Sequence, residues 1–499
     1  MLLKPQLEDL KVILYHIGKI SILLGLFMFL PLFVGILYSE TQAILDFSIS
    51  IVFSFIFGFF LILFFKTETE IHFNHAMVIV SLSWILAMFL GAIPLYLSGH
   101  FSSFLDSCFE AMSGFATTGL TLAQDLDHLA NSYNFWRHLT MFIGGIGIIV
   151  IALSFLITSS AYIRMYIGEA RDEKILPNIV STARFILYIS IVYFIVGTLS
   201  LTIVGLIEGL TLKSAILNGA CLFMAAFNTG GFTIYSQNIL YYHSILFEIL
   251  TCVFMLLGAI NFKLQYTILV SEKKELFRDI EIKTLFFSII ITFTILGIAL
   301  RLDNLYPNSL SFFRKGFYQL ISAHTGTGYS NIYSPQFLSW NNLAIFGIIV
   351  AMAIGGCSCS TTGAIKTIRI GLLYKGLAED IKKIILPESS IVNERFHHIN
   401  DIILEDKHLR SASVIIICYI ALYFFGAIVG MFFGYPFLNS LFESTSAAGN
   451  VGLSCGITSP DMPSFLKITY IIQMWAGRLE FISVFTLFGF IWSIIKGKR

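Results

Sequence analysis

Four short segments of this 499-residue chain share one pattern of small residues. They read ATTGLT around Gly119, NTGGFT around Gly231, GTGYS around Gly328 and GNVGLS around Gly452, and each glycine precedes Leu, Phe or Tyr and then Thr or Ser. These side chains offer no acid, base or strong nucleophile, so the chemistry available is that of the backbone. Glycine permits angles that turn successive carbonyl oxygens to one side, and without a Cβ it leaves room for an ion beside them. Rings of carbonyl oxygens can replace the hydration shell of a monovalent cation. The glycines lie 112, 97 and 124 residues apart, the mark of an internally repeated architecture.

An element must position each hook. Immediately before the hooks stand FLDSCFEAMSGF, SAILNGACLFMAAF, FFRKGFYQLISAH and FLNSLFESTSAA. Each is shorter than the roughly 20 residues that cross a bilayer, and a run of that length suits a re-entrant half-helix. A half-helix entering from outside points its partially negative carboxy-terminal end at the hook, which favours a cation and opposes an anion. The same register places Glu110, Leu222, Gln319 and Glu443 nine residues before the four glycines. Glu110 and Glu443 could brace the amides of the hook or raise the local cation concentration. Paired or solvated at a vestibule wall, they would be structural only.

Composition sets the medium. Hydrophobic residues make up 57% of the chain and charged residues 12%, against about 45–50% and about 25% in soluble domains. A soluble globular fold is thereby excluded, and a net charge of +1 removes a nucleic-acid footprint. The seven cysteines lie mostly in apolar stretches and read as small core residues. Apolar runs near 19–37, 43–65, 76–97, 135–158, 185–207, 244–270, 284–300, 342–365, 411–433 and 466–495 predict ten spans. The first is too long and too poor in small-residue cleavage signals for a removable signal peptide.

Orientation follows from basic residues in the loops. Segments 1–19, 66–75, 159–184, 271–283, 369–410 and 496–499 carry 22 of the 31, and the opposite loops carry only Lys213, Arg314 and Lys315. Both termini and the charged linkers are therefore expected in the cytoplasm. The fold class predicted is an all-α polytopic membrane protein: two extra N-terminal helices, then four helix, re-entrant pore loop, helix repeats with pseudo-fourfold symmetry. The divisions expected are 1–67 for the N-terminal appendage and 68–160, 161–272, 273–378 and 379–499 for the repeats.

The hooks, with GGIGI at 144–148, GAINFKL at 258–264, GGCSCSTTGAIK at 355–366 and MWAGRLE at 474–480, resemble the Trk/Ktr/HKT superfamily of potassium translocation subunits, in particular its Trk-H type. The likeness runs from about residue 68 to the end, and two additional N-terminal spans also suit that branch. It implies potassium as the transported ion, no organic cofactor, and uptake by a homodimer in the lipid of the cell (inner) membrane. It further implies gating by a cytosolic nucleotide-binding subunit of the Trk-A kind. By the same resemblance the filter is lined by Thr117, Thr118 and Gly119, by Thr229, Gly230 and Gly231, by Gly326, Thr327 and Gly328, and by Asn450, Val451 and Gly452. One glycine per hook is common to all four, so potassium over sodium selectivity is expected to be imperfect. A sodium-permeable, sodium-coupled or proton-coupled transporter is the alternative.

Two features beneath the hooks are expected to gate. Arg478, in MWAGRLE, would set a fixed positive charge against cation passage, or else pair two helices. Gly355, Gly356 and Gly363 interrupt the span at 342–365 with a run of poor helix formers, expected to be a broken, mobile segment or, alternatively, a close-packing one. Cys359 and Ala364 stand where the family is usually richer in glycine. Lys366 would anchor this gate or, for want of a partner, snorkel to the surface as Lys263 is expected to do. Arg137, Arg301 and Lys467 are expected as interface anchors. Cys357 and Cys359 lack the further ligands of a zinc site. The linkers 159–184 and 366–410 are expected to dock a soluble partner, and His397, His398 and Asp401 are the sole pattern suggesting an enzyme, without a substrate pocket to go with it.

Overall fold

A computed structural model describes residues 5–497, apart from 124, 157–160, 170–178, 271–274, 303–305, 307, 338, 388–389 and 391–392. The described chain is 74% helical. Among the described residues six helices are long and apolar enough to cross a membrane, and up to nine spans result if each sharply bent pair counts as one. Their outward faces carry large apolar side chains, with Leu63 and Phe64 among the most exposed, as a lipid-facing surface requires.

Three expected spans are bent. Asn131–Ile146 turns by 77° into Ile148–Ser154, Ile245–Ala259 by 103° into Phe262–Ile268, and Ser464–Arg478 by 113° into Ile482–Lys496. Left-handed backbone marks two of the corners, at Gly147 with φ 104° and at Phe481 with φ 72°. The expected eighth span, 342–365, is corrected: its helix is Asn342–Ala353, begun by the Asn341 side chain accepting from the Ala344 amide at 2.8 Å. It gives way to irregular chain through 366 before helix Thr367–Ile385.

The N-terminal pair, Leu7–Phe27 with Phe29–Tyr38 and then Thr41–Phe64, packs through small residues. A Cβ on Gly18 would meet the Gly58 carbonyl at 2.8 Å, and the reverse holds for Gly58, so the two backbones touch. Glu40 keys this pair to the rest. Its carboxylate accepts from the Asn131 and Ser132 amides at 2.8 and 3.0 Å, satisfying the open first turn of Asn131–Ile146 and complementing its dipole.

The linker before Asp406–Phe432 is not all helical. Arg395–His398 pairs antiparallel with Asn400–Ile403 around Ile399, the one hairpin among the described residues. His397 lies between Asp401 and Glu275 at 2.8 and 2.7 Å, and His398 faces Asp279 instead. The two imidazoles therefore address separate carboxylates and do not form a joint catalytic arrangement. Of the expected docking segment 159–184, residues 159–160 and 170–178 lie outside the described residues.

Candidate ion-coordinating site

Half-helices Phe104–Phe115, Leu212–Phe227, Ser309–His324 and Phe437–Ala448 bring the four hooks together. The first two are opened by Ser103 and Thr211, whose hydroxyls accept from the Asp106 and Ser214 amides. All four close identically. The Thr118, Gly230, Thr327 and Val451 amides donate to the Ser113, Ala225, Ser322 and Ser446 carbonyls at 2.8–2.9 Å, six residues to one, while the preceding amides close the inner turn. This is a Schellman end, with its residue in left-handed conformation: Thr117, Thr229, Gly326 and Asn450 have φ of 54°, 51°, 66° and 54°. Three of the four are not glycine, a local strain of order 1 kcal/mol each that the surrounding packing sustains.

Two residues on, Gly119, Gly231, Gly328 and Gly452 are left-handed again, with φ of 91°, 73°, 80° and 90°. What surrounds them closes a ring. A Cβ on Gly119 would collide with the Gly230 carbonyl, one on Gly231 with that of Thr327, one on Gly328 with that of Val451, and one on Gly452 with that of Thr118. Each hook thus lies against the next in chain order, and the fourth returns to the first. All four glycines line one cavity of about 220 Å³, with Arg137 its one charged lining residue.

The residue nine before each glycine holds the returning chain. Glu110 accepts from the Thr121 hydroxyl at 2.9 Å and the Leu122 amide at 2.9 Å. Glu443 accepts from the Ser454 hydroxyl at 2.5 Å, the Cys455 amide at 2.9 Å and the Thr458 hydroxyl at 2.8 Å. Gln319 donates to Ser330 Oγ and Asn331 Oδ1 at 3.1 and 3.0 Å, at the same offset. Both glutamates thus contact the chain that returns from their hook, and Glu110 is in addition ion-paired with Arg137. Leu222 cannot do this, and in the second hook the carbonyls of Thr233 and Phe232 are met by Arg137 Nη1 at 3.2 Å and His138 Nε2 at 3.0 Å.

Two expected interface anchors are corrected here. Arg137 is 1% exposed and donates from Nε to Glu110 at 2.7 Å, with Phe232 beneath its guanidinium at 4.1 Å. Lys467 is also buried, paired with Asp106 at 2.5 Å. A span-end position in one dimension does not show that the adjoining half-helix folds over it. Arg301 is exposed.

On the other side of the ring, motif glycines let the spans approach. Gly144, Gly258 and Gly477 each present their bare Cα to the last carbonyls of the half-helices, those of Phe115, Phe227 and Ala448. The third repeat fills this level with the irregular stretch. Gly355 to Gly363 is non-helical and, except at Ser358, buried. The Cys357 amide donates to Ala259 at 2.9 Å, the Thr361 hydroxyl to Phe227 and Gly258 at 3.1 and 2.9 Å, and the Gly356 amide to Thr362 Oγ1 at 3.2 Å. Cys359 and Ala364 both adopt left-handed backbone, φ 48° and 57°, at the positions noted above as glycine-poor.

Lys366 does not snorkel. It is buried, its ammonium donating to the Thr362 carbonyl and, at 3.1 Å, to the Thr362 hydroxyl. Arg478 stands at the corner of its bent span, and its Nη1 and Nη2 donate to the Thr361 and Gly144 carbonyls at 2.6 and 2.7 Å. Glu480 pairs instead with Arg369. Lys366 and Arg478 share the wall of a small cavity with Glu169 and Glu480.

Comparison with known proteins places this architecture. The family profile described as TrkH, cation transport protein, matches residues 43–493. The chain is 34% identical over 486 residues to a cation transporter of Methanocaldococcus jannaschii, covering 96% of each. It is 29% identical to the Trk system potassium uptake protein TrkG of Escherichia coli, covering 97% of this chain and 99% of that one. The crystal structure of the potassium transporter TrkH from Vibrio parahaemolyticus superposes with a TM-score of 0.79 over 96% of this chain and 98% of that one, at 23% identity. The chain belongs to the TrkH family of cation transport proteins.

Proposed function

We propose that this protein takes up potassium across the cell (inner) membrane through the ring of hooks, as the membrane subunit of a Trk system. The observation that carries the reading is the ring itself: four glycines, each seated against the carbonyl of the next hook, at the convergent carboxy-terminal ends of four half-helices. Carbonyls of Thr117 and Thr118, Thr229 and Gly230, Gly326 and Thr327, and Asn450 and Val451 replace water around the dehydrated ion, and the half-helix dipoles favour its charge. Glu110, Gln319 and Glu443 hold the hooks at a fixed aperture.

Below the ring, Gly355, Gly356 and Gly363 permit the buried stretch that closes the path, and Lys366 and Arg478 hold it there. Opening requires the guanidinium to leave the Thr361 carbonyl and the stretch to withdraw. Repeats divided at 68–160, 161–272, 273–378 and 379–499, after an appendage of 1–67, a homodimer with one pore per chain, and cytoplasmic termini complete the proposal. A cytosolic nucleotide-binding subunit of the Trk-A kind would dock on the linkers and supply the force; curated relatives named as Trk system uptake proteins support that part.

The test is growth. A potassium-uptake-deficient bacterial strain expressing this chain should grow on limiting potassium, with its own regulatory subunit co-expressed where needed. Membrane-inserted protein that leaves growth and cation uptake unchanged would refute the proposal.

A further inference from the structure

On the linker side, outside the ring and its gate, two acids and an imidazole from separate parts of the chain meet in the interior. Asp279 and Glu281 begin helix Ile280–Leu302, and His398 ends the first strand of the hairpin. All three side chains are buried, and one oxygen or nitrogen from each lies within 4.8 Å of the others. His398 Nδ1 is 3.1 Å from Asp279 Oδ2 and 3.9 Å from Glu281 Oε2.

The second oxygens are held from behind. Asp279 Oδ1 accepts from the Glu281 amide at 2.8 Å, and Glu281 Oε1 accepts from the Ser358 amide at 2.6 Å. Backbone donors that orient carboxylates toward a common point are the outer support that metal centres use. Two carboxylates buried side by side favour positive charge at the point they share, whether an ion or the imidazole supplies it. Bonds of about 2.0–2.2 Å set ligand atoms some 3–3.5 Å apart, which His398 and Asp279 at 3.1 Å already meet and which His398 and Glu281 at 3.9 Å meet by closing about half an ångström. One nitrogen and two oxygens suit zinc or a similar first-row ion better than calcium or magnesium, which take oxygen alone. A cavity of about 530 Å³ is lined by His398 and Ser358 and so reaches one edge of the cluster.

We infer that Asp279, Glu281 and His398 form a binding site for one zinc-type divalent cation. Occupancy fixes Glu281 and through it the Ser358 amide, and so braces the stretch from Gly355 to Gly363. That consequence for flux rests on the gating proposed above, whereas the site itself does not.

The test uses the purified full chain in detergent, stripped of metal and titrated with zinc against a colorimetric chelator. The wild type should bind one zinc per chain, and His398→Ala and Glu281→Gln should each weaken that binding at least tenfold, while His128→Ala, an exposed imidazole elsewhere, leaves it intact. Cobalt substitution should give a ligand-field absorption band that His398→Ala abolishes. Unfolding midpoints separate misfolding from lost ligation: zinc should raise the wild-type midpoint and leave that of His398→Ala where it stands without metal. Absence of stoichiometric zinc, or binding and a midpoint rise that survive His398→Ala, would overturn the inference. So would a cluster that answers to pH alone. Zinc binding that proceeds normally in a chain without potassium flux would leave the site standing and count against the transport reading only.

Discussion

Arg478 and Thr361 join the last span to the irregular stretch of the third repeat through a 2.6 Å hydrogen bond from guanidinium to carbonyl. The second Arg478 nitrogen reaches Gly144, in the first repeat, and the Thr361 hydroxyl reaches Phe227 and Gly258, in the second. All four repeats are tied at this one level under the ring. A hydrogen bond from a charged donor contributes about 1.5–3 kcal/mol, and about 1.4 kcal/mol is a tenfold change in an equilibrium. Arg478→Ala is therefore expected to raise basal rubidium uptake at least tenfold in the absence of a regulatory subunit, with Arg478→Lys between the two. Unaltered basal flux in both variants would remove the arginine from the gate.

The Glu110–Arg137 pair predicts a strong non-additivity. Both side chains are buried, and Glu110 also fastens the first hook through Thr121 and Leu122. Breaking such a pair from one side leaves a buried charge and costs about 3–5 kcal/mol. Arg137→Met and Glu110→Gln should each lower the thermal unfolding midpoint in detergent by more than the double variant's excess over either. A double-mutant cycle showing simple additivity would mean that the two groups do not depend on each other.

Glycines of similar backbone angle should respond differently. Gly328 has φ 80° with the Val451 carbonyl where a Cβ would stand, and Gly434 has φ 87° with nothing within 4 Å. Gly434→Ala meets only backbone strain, about 1–2 kcal/mol, and should transport normally once folded. Gly328→Ala must also push two hooks apart, and uptake of rubidium should fall at least tenfold in protein shown to be inserted. Equal effects of the two changes would argue that strain alone matters.

The layer around the hairpin should loosen in acid. Glu394 precedes the hairpin, and hydrogen bonds from Lys382 and Lys375 hold its carboxyl below the ordinary carboxylate range. A depressed folded value stabilises above the unfolded pKa of about 4.3 and loses that contribution as pH falls through the folded value. Protection of the hairpin 395–403 against hydrogen exchange, with rates corrected for the intrinsic pH dependence, should therefore fall as pH drops below about 4.3 in the wild type. Glu394→Gln should exchange faster already at pH 7 and show a smaller acid response; an identical pH profile would exclude this carboxylate.

Much of this was legible in the sequence because the ring is built from backbone, and backbone demands leave glycine and small residues at fixed offsets. The register of Glu110, Gln319 and Glu443 was readable for the same reason. What it could not convey was which face of a helix meets which neighbour. Arg137 and Lys467, placed at span ends, looked like lipid-interface residues, yet half-helices cover them and supply Glu110 and Asp106 as partners. Lys366 lacked a partner in the sequence because its acceptor is the Thr362 carbonyl, and every residue has one of those. The link from Glu281 to Ser358 spans 77 residues and ends on an amide, so no residue type announced it.

If ions pass through the ring, rubidium uptake into proteoliposomes of the purified chain must depend on it. Wild-type protein should accumulate rubidium down an outward potassium gradient, with potassium competing better than sodium, and Gly328→Ser should lose that preference while remaining inserted. Flux whose size and potassium preference are untouched by Gly328→Ser would contradict the account and return the hooks to a role in helix packing.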